Sequence, residues 1–281
     1  MSRRLQDKVA IITGGTSGIG RRTAEIFAEE GACVLIAARR VDEGRELADR
    51  LGDNVDFLQT DVSSEIDVKR MIDYAVDRFG KLDCLFNNAG VPATHGGIAE
   101  IPFADYEYAL SVLLGGVFLG MKHAAPVLCT QGSGSIINTG SVAGILAGYS
   151  SIVYSAAKAA VIHMTKVVAM ELGESNVRVN CISPGGIATG IFGKAAGLPT
   201  DQAEKTTAMM KQMLADIQPI RRAGIVDDIA RAAVFLASDE STFINGHNLV
   251  VDGGMIGGRL WSVQQEGLKA MRQVLSQASK S

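Results

Sequence analysis

Tyr154 and Lys158, in the run Tyr154-Ser155-Ala156-Ala157-Lys158, stand four apart and share one face of a helix. A phenol with a pKa near about 10 is a poor acid or base at neutral pH. A neighbouring ammonium favours the phenolate and brings the group toward its working range. Tyr149 lacks this arrangement, since four residues on stands Val153. Ser141 lies shortly before Tyr154, just after an apolar run, where a hydroxyl can polarise a carbonyl oxygen. Together these three side chains could move a proton to or from a substrate oxygen.

A second motif binds rather than reacts. Thr13-Gly14-Gly15-Thr16-Ser17-Gly18-Ile19-Gly20 follows a β-branched run and opens a helical pattern. Glycines at 14, 18 and 20 let the backbone turn tightly against a pyrophosphate, and the helix amino end offers free N–H groups to the anion. Gly14, Thr16, Ser17, Gly18, Ile19 and Gly20 are the expected contacts. The next strand ends Ala37-Ala38-Arg39-Arg40, with no carboxylate before Asp42. An acidic residue there would bond the adenosine ribose, whereas arginine accommodates a 2′-phosphate. Arg39 is the candidate clamp, favouring NADP, with NAD the alternative.

The elements that must position these groups alternate along the chain. Strands are expected at Val9–Thr13, 34–37, 55–59, 82–87, 135–139, 177–183 and 248–251. Helices are expected at 18–30, 42–51, 64–79, 103–129 (one long or two abutting), 151–173 and 226–237. Such alternation implies an α/β fold: a single-domain, doubly wound parallel sheet with helices on both faces and its ligand crevice at the carboxyl ends of the strands. Apolar residues make up 47% of the 281, charged residues 20%, which excludes a disordered chain. Net charge is −3 without a dense basic run, so no nucleic-acid partner is expected. Cys33, Cys84, Cys129 and Cys181 form no C-x-x-C pair; Cys33, Cys84 and Cys181, in or beside expected strands, read as small hydrophobes, and no metal site is expected. His95 and His163 read as incidental. The apolar run at 9–12 is too short for a signal peptide, and the apolar stretch 143–165 carries Lys158 and His163. A cytoplasmic chain without a membrane partner is the expectation.

These motifs resemble those of the short-chain dehydrogenase/reductase family over about residues 7–257: the glycine turn, Asp61-Val62, Asn87-Asn88-Ala89-Gly90, Ser141, Tyr154/Lys158, and Pro184-Gly185 with Thr189. The resemblance implies a Rossmann-like, NAD(P)-binding domain interconverting a secondary alcohol and a ketone. Tyr154 would exchange the substrate proton, Lys158 would lower its pKa and bond the nicotinamide ribose, and Ser141 would hold the substrate oxygen. Asp61 and Val62 would meet adenine, Asn87 through Gly90 (Asn88, Ala89 and Gly90 in contact) the cofactor floor, Pro184 and Gly185 its nicotinamide end, and Ile187 and Thr189 the carboxamide.

Leu113 stands where the family usually carries an asparagine that orders a water in a proton relay. This departure supports an alternative: a catalytically impaired cofactor-binding protein acting as a regulator or scaffold. A nucleotide-sugar epimerase or dehydratase would need a longer substrate domain. The segment 190–218 is expected to cover the substrate with Ile191, Phe192, Leu198, Met209, Met210, Met213 and Leu214, helped by Val91, Pro92, Ile145 and Leu146. A small apolar, cyclic or bulky alcohol or ketone fits, with no arginine placed to clamp a carboxylate and Lys194 and Lys205 as candidates for that role. Residues 259–281 form an amphipathic extension, expected to dock on another subunit of a homo-oligomer, a tetramer or dimer.

Overall fold

A computed structural model describes residues 3–278. Seven strands run parallel: β1 (Val9–Thr13), β2 (Cys33–Ala38), β3 (Val55–Gln59), β4 (Cys84–Asn87), β5 (Gly134–Thr139), β6 (Val177–Pro184) and β7 (Asn248–Val251). Their order is β3-β2-β1-β4-β5-β6-β7. The chain therefore reverses its direction of travel across the sheet between β1 and β4, the switch point where a doubly wound sheet opens a crevice.

Burial on both faces explains the unbroken apolar strands. In β1, Ala10 and Ile12 point to one side with Val34, Ile36, Phe86 and Ile137. There they meet Phe27 of α1 (Gly18–Glu29), Leu47 of α2 (Val41–Leu51) and Ile229 of α10 (Val226–Ala237). Ile11 points to the other side with Leu35, Leu85, Ile136 and Val179. That face is covered by α3 (Glu65–Phe79), α5 (Gly116–Gln131) and α6 (Ile152–Gly173). The two-residue period sends alternate side chains into two separate cores. Helix ends follow local chemistry too: the Ser64 hydroxyl accepts from the Asp67 amide at the start of α3, and Gly80 closes it with φ +83°.

The expected strands all form, with shifts at their ends: β4 starts at Cys84 rather than 82, and β6 extends to Pro184. The expected 103–129 helix is a composite. It runs from α4 (Phe103–Leu110) through one π turn (Ser111–Gly115) into α5. The spans Phe103–Gln131 and Ile152–Gly173 are long and apolar enough to cross a membrane by length and composition. Both lay residues such as Met121, Ala124, Val161 and Ile162 against the sheet. Three short helices follow β6: α7 (Ile191–Ala195), α8 (Thr200–Lys205) and α9 (Thr207–Met213). The chain then reaches α11 (Trp261–Ala278), which buries none of its side chains. Residues 279–281 of the expected extension lie outside the described residues.

Candidate active site

The carboxyl ends of β1 through β6 open into one cavity of about 770 Å³. Its floor begins at the glycine turn. Gly14 has φ +65°, and a Cβ there would lie 2.9 Å from the Ala89 backbone, so only glycine fits. Thr13 ties this turn to the loop after β4: its hydroxyl accepts from the amides of Asn88 (2.9 Å) and Ala89 (3.0 Å), and its carbonyl accepts from Asn88 Nδ2 (2.9 Å). Thr16, Ser17, Gly18 and Ile19 line the cavity as expected. Gly20 does not, which corrects its expected contact. A Cβ there would lie 2.4 Å from the Gly14 carbonyl, so Gly20 lets α1 pack against the turn.

At the far end of β2 both arginines reach the cavity wall, in different ways. Arg39 is exposed and donates to the Tyr108 hydroxyl at 3.3 Å. Arg40 is partly buried and donates to the Thr16 hydroxyl at 3.0 Å and to Glu43 at 3.0 Å, fixing a cation on the glycine turn itself. Arg39 is the arginine expected from the strand end; Arg40 is an addition the sequence did not single out. Asp61 and Val62 line the same end. Burial works against the Asp61 carboxylate, but the Ser63 hydroxyl and amide, with Arg39 nearby, hold its carboxyl below the usual range. Asn88, Ala89 and Gly90 form the adjoining wall, whereas Asn87 is withdrawn beneath it. Asn87 Nδ2 donates to Asn138 Oδ1 at 2.9 Å, and Asn138 Nδ2 to the Thr165 hydroxyl at 3.0 Å, so a buried amide chain braces the floor from below.

Ser141, Tyr154 and Lys158 meet on the same cavity. Ser141 follows β5, and its oxygen accepts from the Ala143 amide at 3.1 Å, which fixes the side chain. Lys158 is buried, and its Nζ donates to the Thr139 carbonyl at 2.7 Å. The ammonium lies 5.6 Å from the centre of the Tyr154 ring. Burial brings the Lys158 ammonium down to about 8. Burial also pushes the Tyr154 phenol up to about 12, against a smaller downward pull from a hydrogen bond with Ser141. The net shift of Tyr154 is thus upward, opposite to the expected lowering, and burial is its main cause. The ammonium gives one of its protons to a strand carbonyl, and the apolar surroundings of the phenol penalise its charge.

Those surroundings include Leu113. It is fully buried in the π turn and packs with Ala109, Val153 and Ala157, with Tyr154 at the edge of the cluster. No side-chain oxygen or nitrogen stands at that position to hold a water.

Beyond Tyr154 the wall turns apolar. Val91, Pro92, Ile191, Phe192 and Leu214 line it as expected, and Pro184, Gly185, Ile187 and Thr189 join it to the cofactor floor. Leu198, Met209 and Met213 face outward instead, Met210 packs behind the wall against Ala188, Leu214 and Ala223, and Ile145 and Leu146 are exposed. Lys205 stays off the wall. His95, expected to be incidental, does line the cavity, as do Tyr149, which has no lysine four residues on, Ile217 and Met255. Met255 follows the last strand, and nothing in its local sequence marks it.

The cradle fits a nicotinamide dinucleotide: a glycine turn that no Cβ could enter, cations at one end, and a buried Thr139 hydroxyl on the wall without a partner of its own. A doubly wound sheet carrying a tyrosine, lysine and serine above such a turn defines an oxidoreductase site. A family model described as enoyl-(acyl carrier protein) reductase matches residues 14–256. The chain is 43% identical over 256 residues to tropinone reductase-like 1 of Erythroxylum coca, covering 90% of this chain and 91% of that protein. It is 40% identical over 256 residues to secoisolariciresinol dehydrogenase of Forsythia intermedia, covering 90% and 91%. It is equally similar to (+)-borneol dehydrogenase 2 of Salvia officinalis, 40% over 256 residues, covering 89% and 90%. The chain belongs to the short-chain dehydrogenase/reductase family.

Proposed function

We propose that the protein interconverts a secondary alcohol and a ketone on a neutral, apolar, cyclic or bulky substrate, using NADP(H) in preference to NAD(H). The observation that carries this reading is the convergence of Ser141, Tyr154 and Lys158 on one cavity with the glycine turn. A bound nicotinamide dinucleotide supplies or accepts the hydride. Tyr154 holds its proton at neutral pH, the form that donates to an oxygen gaining negative charge during ketone reduction. Ser141, fixed by the Ala143 amide, presents its hydroxyl proton to the same oxygen or to Tyr154. Lys158, held by the Thr139 carbonyl, places a positive charge beside the phenol that would favour the phenolate left after transfer.

The substrate end of the wall is mostly Val91, Pro92, Phe192, Leu214, Ile217 and Met255, with Lys158 its one lysine and that ammonium already engaged. A neutral substrate follows, in keeping with the alcohol and ketone names of the relatives. Arg39 and Arg40 at the end of β2, with no carboxylate before Asp42, support the 2′-phosphate of NADP. A second reading, a cofactor-binding protein with slowed proton turnover, rests on apolar Leu113 beside Tyr154. A screen of cyclic ketones and their alcohols with both cofactors, following the reduced nicotinamide, separates them. Turnover that is faster with NADPH is expected. Tight NADPH binding with no turnover on any substrate would favour the second reading.

A further inference from the structure

Lys194 is the cation that this function leaves unused. It sits in the first turn of α7, five residues after Thr189, and its amide bonds the Gly190 carbonyl at 3.0 Å. Thr189 in turn abuts the glycine turn: a Cβ on Gly18 would lie 3.6 Å from its methyl group. The base of α7 therefore stands beside the glycine turn. Lys194 lines that cavity and is half-buried, and among the described residues its ammonium has no hydrogen-bond partner. Burial first, and then the charges of Arg40 and Arg39, make its positive form harder to hold, while Glu204 helps it.

Glu204, on α8, is the counterpart. Its carboxylate also faces the cavity, without a hydrogen-bond partner among the described residues. It lies against the chain beside Lys194, where a Cβ on Gly190 would stand 2.8 Å from it. Three cations and a loose carboxylate thus surround one space at the glycine turn. A half-buried ammonium crowded by two guanidinium groups gains most from an anion that is shared with them.

We propose that Lys194 binds the cofactor's pyrophosphate and thereby draws the α7–α9 segment over the bound dinucleotide. The proposal rests on the nicotinamide-dinucleotide reading above. Its chemistry is specific: the pyrophosphate is common to both cofactors, so Lys194 acts alike on each, whereas Arg39 would distinguish them.

Titrations of NADPH and NADH fluorescence test it with Lys194→Met, Lys194→Arg and Glu204→Gln. Loss of one charge-assisted phosphate contact weakens binding about tenfold. Lys194→Met should show that loss for both cofactors, Lys194→Arg should restore most of it, and Glu204→Gln should tighten both. Chymotryptic cleavage within 190–218 should slow when saturating cofactor is added to the parent protein, and should slow much less in Lys194→Met at equal occupancy. Unchanged affinity in Lys194→Met, or a loss confined to NADPH, overturns the pyrophosphate contact while leaving the dinucleotide reading intact. Failure of the parent protein to bind either cofactor overturns both.

Discussion

Tyr154 keeps its proton more firmly than a free phenol, and Lys158 keeps its own less firmly than a free amine. The difference sets the sign of the pH response. Reduction of a ketone draws on a protonated Tyr154, present below about 12, and on a charged Lys158, present below about 8. The rate of reduction should therefore be level at neutral pH and fall as pH rises through about 8. In Lys158→Met the descending limb should vanish and the whole profile should lie lower. A parent rate that climbs through that range would contradict the assignment of Lys158. The pairing itself was legible, because four-residue spacing on a helix fixes a shared face. The sign of the shift was not, because it depends on how deeply the folded chain buries the phenol. That burial comes from elements distant in the sequence, which no local pattern connects to α6. His95, Tyr149 and Met255 were illegible for the same reason: each reaches the cavity through the path of its loop, not through a periodic pattern.

Strands and helices were readable nearly throughout, since alternating short β-branched runs and helical stripes are local signals that burial on both faces enforces. The exceptions have physical causes. The π turn at Ser111–Gly115 leaves hydropathy unbroken, so one continuous apolar pattern conceals a change of hydrogen-bond register. The segment after β6 was expected to face the substrate with its methionines. It breaks into three short helices, and Met209 and Met213 turn outward. Helix α11 is an amphipathic pattern that buries none of its side chains. Trp261 is 72% exposed, and Val263, Met271, Val274 and Leu275 are exposed with it. We propose that this face docks on a second copy, as the amphipathic spacing implies. Deleting residues 259–281 should then lower the sedimenting mass or weaken self-association. An unchanged sedimentation profile would sink this role for the helix.

Across the whole molecule, one parallel sheet delivers six strand ends to a single cavity, with cations around the glycine turn and apolar side chains beyond Tyr154. On the proposed reading, that polarity would orient a dinucleotide with its phosphates at one end and leave an apolar space for a neutral ring at the other. Cofactor binding and proton exchange therefore share one site, with Tyr154 and Lys158 expected in both. Tyr154→Phe separates them, since it removes only the hydroxyl. NADPH affinity, measured by fluorescence, should stay within about twofold, because the phosphate contacts remain. Turnover of the best cyclic ketone from the screen should fall by about 10²–10⁴-fold, the usual contribution of a positioned acid. A variant that binds NADPH and reduces the ketone at the parent rate would contradict the account.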